Sequence, residues 1–147
     1  MGIVENKANG NRFLEEVINR GNLAVVVELS GPDFIDHQAP PGVPPTAEGA
    51  KTFIAMFRAA FPDLHYTVED TIAEGDKVVT RATAHGTMTG DFMGMPASGK
   101  SATWSEIHIT RYENGLAVEH WAVVDQLGML AQLGFAEAPG QPAATAR

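Results

Sequence analysis

Residues 100–125, KSATWSEIHITRYENGLAVEHWAVVD, decide the fold class, because two runs of strand-forming residues flank a short turn. The turn contains Asn114 and Gly115, a pair that readily takes up the positive φ angles of a tight hairpin. The stretch therefore predicts two antiparallel strands that pair with each other.

A second hairpin is predicted just upstream. Residues 64–74, LHYTVEDTIAE, and residues 77–88, KVVTRATAHGTM, alternate with period two around a Gly-Asp turn. The chain before residue 64 has a different pattern, with predicted helices over about residues 4–20 and 47–60. Between them, LAVVVELS (23–30) is predicted to be a short helix, although its β-branched residues also suit a strand.

The connection at residues 31–46, GPDFIDHQAPPGVPPT, contains two Pro-Pro pairs and is predicted to be extended or turned and not helical. A last short helix, QLGMLAQLG, follows residue 125. Helices that precede an antiparallel meander indicate an α+β fold, with helices packed on one face of a curved sheet. We expect a concave space there that suits a small-molecule pocket. Residues 1–136 are predicted to form one domain, and residues 137–147, rich in Ala and Pro, a flexible tail.

Composition narrows the function classes. The 147 residues include no cysteine, so disulfides, thiolate chemistry and thiolate zinc sites are excluded. The net charge of −8 argues against a nucleic-acid partner, which needs a basic face. No segment has the length of a membrane helix, and the N-terminus lacks a signal-peptide pattern. We therefore expect a cytoplasmic protein that binds a small molecule and neither nucleic acid nor membrane.

Alternation in the first strand of the 100–125 hairpin predicts one mixed face, made by Trp104, Glu106, His108, Thr110 and Tyr112. Trp, Glu and His on one face resemble a pocket wall, with an aromatic surface beside two groups that exchange protons. The alternative is that Ile107 and Ile109 face the core and the mixed face is solvated. The pattern leaves both open.

Asp125 ends the second strand and shares a face with Trp121, whose indole would make a flat wall for an aromatic ligand. Asp is also a preferred N-cap, and a capping carboxylate that stays ionised is a weaker base. Both roles are open for Asp125. His120 lies on the opposite strand face, which is the better core candidate, and is interpreted as a structural histidine.

The other histidines give weaker signals. His37 precedes the prolines and could reach over a pocket mouth or be an exposed loop residue, and Asp36 beside it is expected at the surface. His65 and His85 are expected to lie at the surface or on a solvated strand face. No two histidines have the spacing of a common metal site, so no metal is predicted. A phosphate-binding loop and a serine-hydrolase elbow are also missing.

Four stretches carry a resemblance to the SnoaL-like polyketide cyclases (ester cyclases) of the nuclear-transport-factor-2-like superfamily, over about residues 10–134. They are DFIDHQAPPG (33–42), FRAAFPDLHYTVEDTIAEGDKVVTRATAHGT (57–87), GDFMGMPASGK (90–100) and RYENGLAVEHWAVVDQLGMLAQLG (111–134). The last is the most specific, because a Trp and an Asp four residues apart precede LGMLAQLG. The resemblance implies a cone-shaped, strongly curved antiparallel sheet closed by the N-terminal helices, and a homodimer through the open sheet face.

The resemblance also implies a function: intramolecular aldol-type ring closure on a carbonyl-rich, aromatic polyketide-like compound, without metal or organic cofactor. By position, Asp125 falls on the catalytic acid/base, and Glu106 falls on a polar pocket position that is often Gln. His108 falls on the pocket histidine and would be catalytic, by orienting or stabilising the enolate oxygen. His37 would lie near the entrance, and Trp104 and Trp121 would hold the substrate between them. Met88 occupies a position where the family usually has a histidine, which makes the site more apolar.

Two alternatives stay open. The chain could be a non-catalytic module that binds a small ligand in the same cavity, which Met88 favours. It could also be a related hydroxylation-pathway protein or hydrolase. An epoxide-type hydrolase needs a carboxylate–Arg–carboxylate relay, and Arg81 and Arg111 fall off the proposed pocket face.

Overall fold

Helices and strands follow one another in the predicted order, with one additional strand. The computed structural model describes residues 2–137. Its helices are α1 (Ile3–Arg12), which continues as a π-helical segment (Phe13–Asn19), α2 (Ala24–Glu28), α3 (Ala47–Ala60) and α4 (Gln126–Leu133). Its strands are β1 (Ser30–Asp36), β2 (His65–Glu74), β3 (Lys77–Thr87), β4 (Ser101–Glu113) and β5 (Leu116–Val124).

The two predicted hairpins, β2–β3 and β4–β5, form the centre of a five-stranded sheet with the order β1-β5-β4-β3-β2. Asn114 and Gly115 have φ angles of 52° and 78°, as the tight turn between β4 and β5 requires. Register shifts in β2 and between β4 and β5 mark irregularities of the kind that bend strands. The result is an α+β fold with a curved, unclosed sheet and N-terminal helices, as predicted.

Strand β1 is the main difference from the sequence prediction. It lies within the stretch expected to be an extended connection, and it pairs in parallel with β5, so the sheet is not antiparallel throughout. Pro32 cannot donate a backbone hydrogen bond, and such a residue is tolerated in a strand at the edge of a sheet. β1 is an edge strand, which explains why proline does not prevent it from forming.

The helices cover one face of the sheet. In α3, Thr46 caps the first turn by accepting a hydrogen bond from the backbone N–H of Gly49, and Ile54, Phe57 and Ala60 turn into the core. Phe61, fully buried after α3, packs edge-on against Phe57 at a ring-centroid distance of 5.2 Å. Burying an aromatic side chain of this size stabilises the fold by about 2–3 kcal/mol.

The opposite face of the sheet carries exposed apolar side chains, among them Ile72, Ile107 and Val123. No helix in the described part of the chain is long and apolar enough to cross a membrane. The tail predicted at residues 137–147 lies, except for Glu137, outside the described residues.

Candidate active site

A cavity of about 530 Å³ lies between the helices and the sheet face that they cover. A volume of this size is typical of sites for small organic molecules. Much of its wall is aromatic: the ring centroids of Phe57 and Phe92 are 5.2 Å apart, and those of Phe57 and Trp104 are 6.2 Å apart. This end of the cavity offers flat apolar surfaces to a ligand.

Strand β4 supplies the polar part of the wall. Its alternate residues Trp104, Glu106, His108, Thr110 and Tyr112 all line the cavity. The same side of β3 and β5 contributes Thr80, His120, Ala122 and Val124. Because neighbouring strands keep their registers, Thr80 lies opposite His108 and Thr110 lies opposite His120.

Glu106 is the most deeply buried carboxylate of this wall, with 3% of its surface exposed. Its Oε2 accepts hydrogen bonds from the Tyr66 hydroxyl at 2.7 Å and from the Trp104 indole N–H at 2.6 Å. Its Oε1 lies 2.7 Å from Nε2 of His108. Three partners therefore replace the water that this carboxylate would otherwise bind.

A chain of hydrogen bonds continues from Glu106 across the sheet. Nδ1 of His108 is 2.8 Å from Nε2 of His120, and Nδ1 of His120 is 2.8 Å from Oδ1 of Asp36. The two imidazole rings are stacked, with centroids 5.1 Å apart. We call this Glu106–His108–His120–Asp36 arrangement the relay; it joins a buried carboxylate to a second carboxylate on β1.

The relay contains more hydrogen bonds than two neutral imidazoles can donate. Its three hydrogen bonds need three protons, but two neutral imidazoles carry only one N–H each. When both carboxylates act only as acceptors, the relay therefore needs one proton more than two neutral rings carry.

The pKa shifts of the two carboxyl groups agree with this proton count. Burial alone would raise the pKa of Glu106, but the hydrogen bond and charge of His108, with the hydrogen bonds of Tyr66 and Trp104, lower it below its usual value. Burial also opposes ionisation of Asp36, and the hydrogen bond and charge of His120 outweigh it and lower that pKa. Both groups are therefore carboxylates at neutral pH.

These shifts predict how stability depends on pH. A carboxyl group whose pKa is lowered by folding stabilises the protein above its unfolded-state pKa, which is about 4, and this contribution is lost as the pH falls through the folded-state pKa. We expect the free energy of unfolding, measured with urea between pH 7 and pH 3, to decrease below about pH 4. The decrease should be smaller for Glu106→Gln than for Glu74→Gln, which removes an exposed carboxylate. Equal decreases in the two variants would contradict the relay.

Asp36 is the end of the relay that can still accept a proton. Both of its hydrogen bonds, from His120 and from the backbone N–H of Gln38, end on Oδ1. Within residues 2–137, Oδ2 has no hydrogen-bond partner. All four ring nitrogens of His108 and His120, and both oxygens of Glu106, are occupied. Asp36 lines the cavity, and its Oδ2 is the one carboxylate oxygen of the relay without a hydrogen bond in the described chain.

His37, which lines the cavity, stacks on Trp121, which does not. Their rings stack with centroids 4.9 Å apart, and Nε2 of His37 lies 2.8 Å from Glu119. The hydrogen bonds of His37 and Arg111 lower the pKa of the Glu119 carboxyl group. His37 lines the cavity, whereas Trp121 does not. The expectation that Trp104 and Trp121 hold a ligand between them is therefore not met, because odd-numbered residues of β5 from 119 onward face away from the helices.

Asp125 also lies outside the cavity lining. It is exposed, and its Oδ1 accepts a hydrogen bond of 2.9 Å from the backbone N–H of Gly128 as the N-cap of α4. Of the two roles that the sequence left open, the geometry supports the cap. The expectation that Asp125 faces the pocket is not met, and its catalytic role stays a prediction.

Met88 also lies outside the pocket in which it was expected. Its side chain is fully buried in the hydrophobic core just after β3, and it is not part of the cavity lining. Its backbone is held to the end of the loop that precedes β4, through hydrogen bonds with Lys100 and Gly99. The residue therefore contributes to packing and leaves the polarity of the cavity unchanged.

Sequence reasoning missed Asp36, His120 and Tyr66 as site residues. Asp36 was expected at the surface and His120 was interpreted as structural, yet both belong to the relay. One signal was present: Phe34 and Asp36 alternate, as strand residues do, and both line the cavity. No group of three or more His, Asp or Glu side chains between residues 2 and 137 is arranged to hold a metal ion.

Known proteins share this fold and sequence pattern. The model of the SnoaL-like polyketide cyclase family matches residues 8–133. TsrD from Streptomyces laurentii is 30% identical, with 92% of this chain and 98% of that chain covered and a TM-score of 0.83. IdmH, a proposed polyketide cyclase from Streptomyces antibioticus, is 36% identical, with 88% and 98% covered and a TM-score of 0.76.

A more distant neighbour shares the fold alone: an LEH-like epoxide hydrolase of M. tuberculosis is 12% identical, with 88% of this chain and 90% of that chain covered and a TM-score of 0.69. No curated protein sequence matches the chain significantly. The family match covers most of the chain, including every strand and the whole relay. The chain therefore belongs to the SnoaL-like polyketide cyclase family.

Proposed function

We propose that the protein catalyses an intramolecular aldol-type ring closure on a small, carbonyl-rich aromatic compound, without metal or organic cofactor. The observation that carries the proposal is that Oδ2 of Asp36, a residue that lines a largely apolar cavity, has no hydrogen-bond partner in the described chain. The relay holds Asp36 through Oδ1, and every other acceptor atom of the relay already has a partner. Membership of the family and the likeness to IdmH support chemistry of the cyclase type.

Asp36 would act as both base and acid. Its Oδ2 takes a proton from a carbon next to a carbonyl group, which gives an enolate and a carboxylic acid. The enolate carbon attacks a second carbonyl carbon of the same molecule, a C–C bond forms, and the alkoxide takes the proton back from Asp36. No atom is gained or lost, so the step is an isomerisation.

The lowered pKa of Asp36 restricts the substrate. A weakly basic carboxylate removes a proton efficiently only when the carbon acid is itself acidic, as it is between two carbonyl groups. His120 would hold the Asp36 carboxylate in place, and His108 would hold His120. The aromatic end of the cavity would bind the ring system of the substrate through the faces of Trp104 and Phe57, since the indole N–H of Trp104 is already bonded to Glu106.

The proposal can be tested with a simple triketone, 1-(2-naphthyl)octane-1,5,7-trione, in which C6 lies between two carbonyl groups. Attack of C6 on the aryl ketone closes a six-membered ring that contains a tertiary alcohol. We expect wild-type protein to accelerate formation of this cyclic isomer, separated by liquid chromatography, over buffer alone and over Asp36→Asn. Equal rates in all three samples would contradict the proposal.

A second candidate is a binding module that uses the same cavity without catalysis. The specific observation in its favour is that the pKa of Asp36 is lowered, because the resulting carboxylate is a weaker base. This alternative predicts that a ligand is retained unchanged. Recovery of the cyclic isomer from the wild-type reaction distinguishes the two.

We further propose a homodimer that associates through the outer sheet face and a cytoplasmic location, which suits a chain without cysteine. Ile107 and Val123 lie directly opposite each other on β4 and β5 and are 45% and 75% exposed. We expect a dimer in sedimentation velocity that Val123→Glu dissociates, because a charge there would be buried at the interface. Val4→Glu, at an exposed position of α1, is the matched control and should stay dimeric. A monomeric wild type would contradict the dimer.

A further inference from the structure

We infer that the cavity has a second polar subsite, formed by the hydroxyl groups of Thr80, Thr110 and Tyr112, that binds an oxygen-bearing group of the ligand. The inference deepens the proposed function, since it rests on the same cavity and on a ligand of the same class. It adds the requirement that the ligand is amphiphilic, with an aromatic part and a hydroxyl or carbonyl oxygen held apart from it.

The three hydroxyl residues lie together on the cavity wall. Thr80 is directly opposite His108, and Thr110 is directly opposite His120. Tyr112 follows Thr110 on the same side of β4, and all three residues line the cavity. Trp104 lies at the other end of the same row, eight residues before Tyr112, so the subsite and the aromatic wall occupy different parts of the cavity.

These hydroxyl groups have no hydrogen-bond partner among residues 2–137. Thr80 is 6% exposed, Tyr112 is 5% exposed and Thr110 is half-buried. Burial raises the pKa of Tyr112 to about 12, so its phenol stays protonated and can donate. In the described chain Asn6 Oδ1 is the one fully buried side-chain polar atom without a partner, so the three hydroxyl oxygens are open to the cavity that their residues line, and a ligand there can bond to them.

Tyr66 provides a direct contrast within the same cavity. Its hydroxyl donates to Glu106 and has a structural partner, whereas the Tyr112 hydroxyl has none. The tip of Tyr112 lies instead close to α1 at Gly10, where a Cβ would be 3.3 Å from the phenol oxygen. A glycine at this point gives the phenol room beside the helix, although no group in the described part of the chain accepts its proton.

The test compares two probes that differ by one hydroxyl group, flavone and 7-hydroxyflavone. We expect 7-hydroxyflavone to bind wild-type protein about fivefold more tightly than flavone in isothermal titration calorimetry, the gain that one neutral hydrogen bond supplies. In Tyr112→Phe and Thr110→Val the ratio of the affinities for 7-hydroxyflavone and flavone should fall toward one, with the affinity for flavone unchanged. An equal gain in wild type and both variants would overturn the inference, as would the failure of both probes to bind.

A stability measurement separates ligand binding from a structural role. Tyr112→Phe removes a hydroxyl without a protein partner, so its melting temperature without ligand should equal that of wild type or exceed it. Tyr66→Phe, the matched variant, should melt lower because it removes a hydrogen bond to Glu106. An equal decrease in both variants would assign Tyr112 to structure and overturn the inference. Since these readouts need no turnover, a protein that discriminates the probes but closes no ring contradicts the proposed function alone.

Discussion

Asp36→Asn is expected to reduce the rate of ring closure about 10³-fold, within the range that a general base contributes. The asparagine Oδ1 can still accept the hydrogen bonds from His120 and from the backbone N–H of Gln38, so the relay and the loop keep their geometry. The oxygen that faces the ligand becomes an amide NH₂, which cannot take a proton. The loss should appear in kcat for the naphthyl triketone.

The stability and probe affinity of Asp36→Asn decide how a loss of rate is interpreted. We expect its melting temperature to stay close to that of wild type and its affinity for flavone to be unchanged, because flavone has no acidic proton to give. A large loss of rate accompanied by unfolding would assign Asp36 to structure. Retained turnover in a folded Asp36→Asn variant would contradict its role as the base.

Glu106→Leu is expected to lower the free energy of unfolding by about 4 kcal/mol, because it leaves several buried donors without an acceptor at about 1–3 kcal/mol each. The donors are the Tyr66 hydroxyl, the Trp104 indole N–H and a ring N–H of His108. Leucine has a similar size, so the loss would come from the missing acceptor and not from a cavity. Urea denaturation followed by circular dichroism measures it.

Glu106→Gln is the matched control for the leucine variant. Its carbonyl oxygen can accept from Tyr66 and Trp104, while its NH₂ donates to Nε2 of His108. Each imidazole then needs only one N–H to complete the relay, so both histidines can be neutral. We expect this variant to keep most of the stability that leucine loses. A loss of less than about 1 kcal/mol in Glu106→Leu would contradict the account of Glu106 as the acceptor that three buried donors require.

Local patterns were sufficient for the central hairpin and for one wall of the site. The alternation of β4 placed Trp104, Glu106 and His108 on one side of the strand, and a strand has only two sides. The alternation could not predict which side of β4 the helices cover, because both sides contain polar and apolar residues. The structure resolves that choice in favour of the mixed row.

The other half of the relay depends on contacts that are distant in sequence. Asp36 and His120 are 84 residues apart and meet because β1 pairs in parallel with β5. A short edge strand that contains Gly31 and Pro32 gives little local signal, and no turn connects it to its partner. The relay therefore could not be predicted from the local sequence around Asp36.

Strand β5, the second strand of the hairpin, shows where the predicted site residues differ from those that line the cavity. From residue 119 onward the sequence separated the two sides of β5 as the structure has them, and it marked the side with His120 and Ala122 as the better core candidate. Before the register shift the division was wrong, because Ala117 lines the cavity and Leu116 and Val118 do not. The family resemblance instead assigned Trp121 and Asp125, on the opposite side of β5, to the pocket. The structure has His120 and Ala122 on the cavity wall, with Asp125 as a helix cap.

The most direct test of the central claim is the ratio of kcat values for Asp36→Asn and Asp125→Asn on 1-(2-naphthyl)octane-1,5,7-trione. Asparagine is as good an N-cap as aspartate, so Asp125→Asn should fold normally and leave the relay untouched. The account predicts a near wild-type rate for Asp125→Asn and a loss of about 10³-fold for Asp36→Asn. The reverse result, with activity lost in Asp125→Asn and kept in Asp36→Asn, would contradict it.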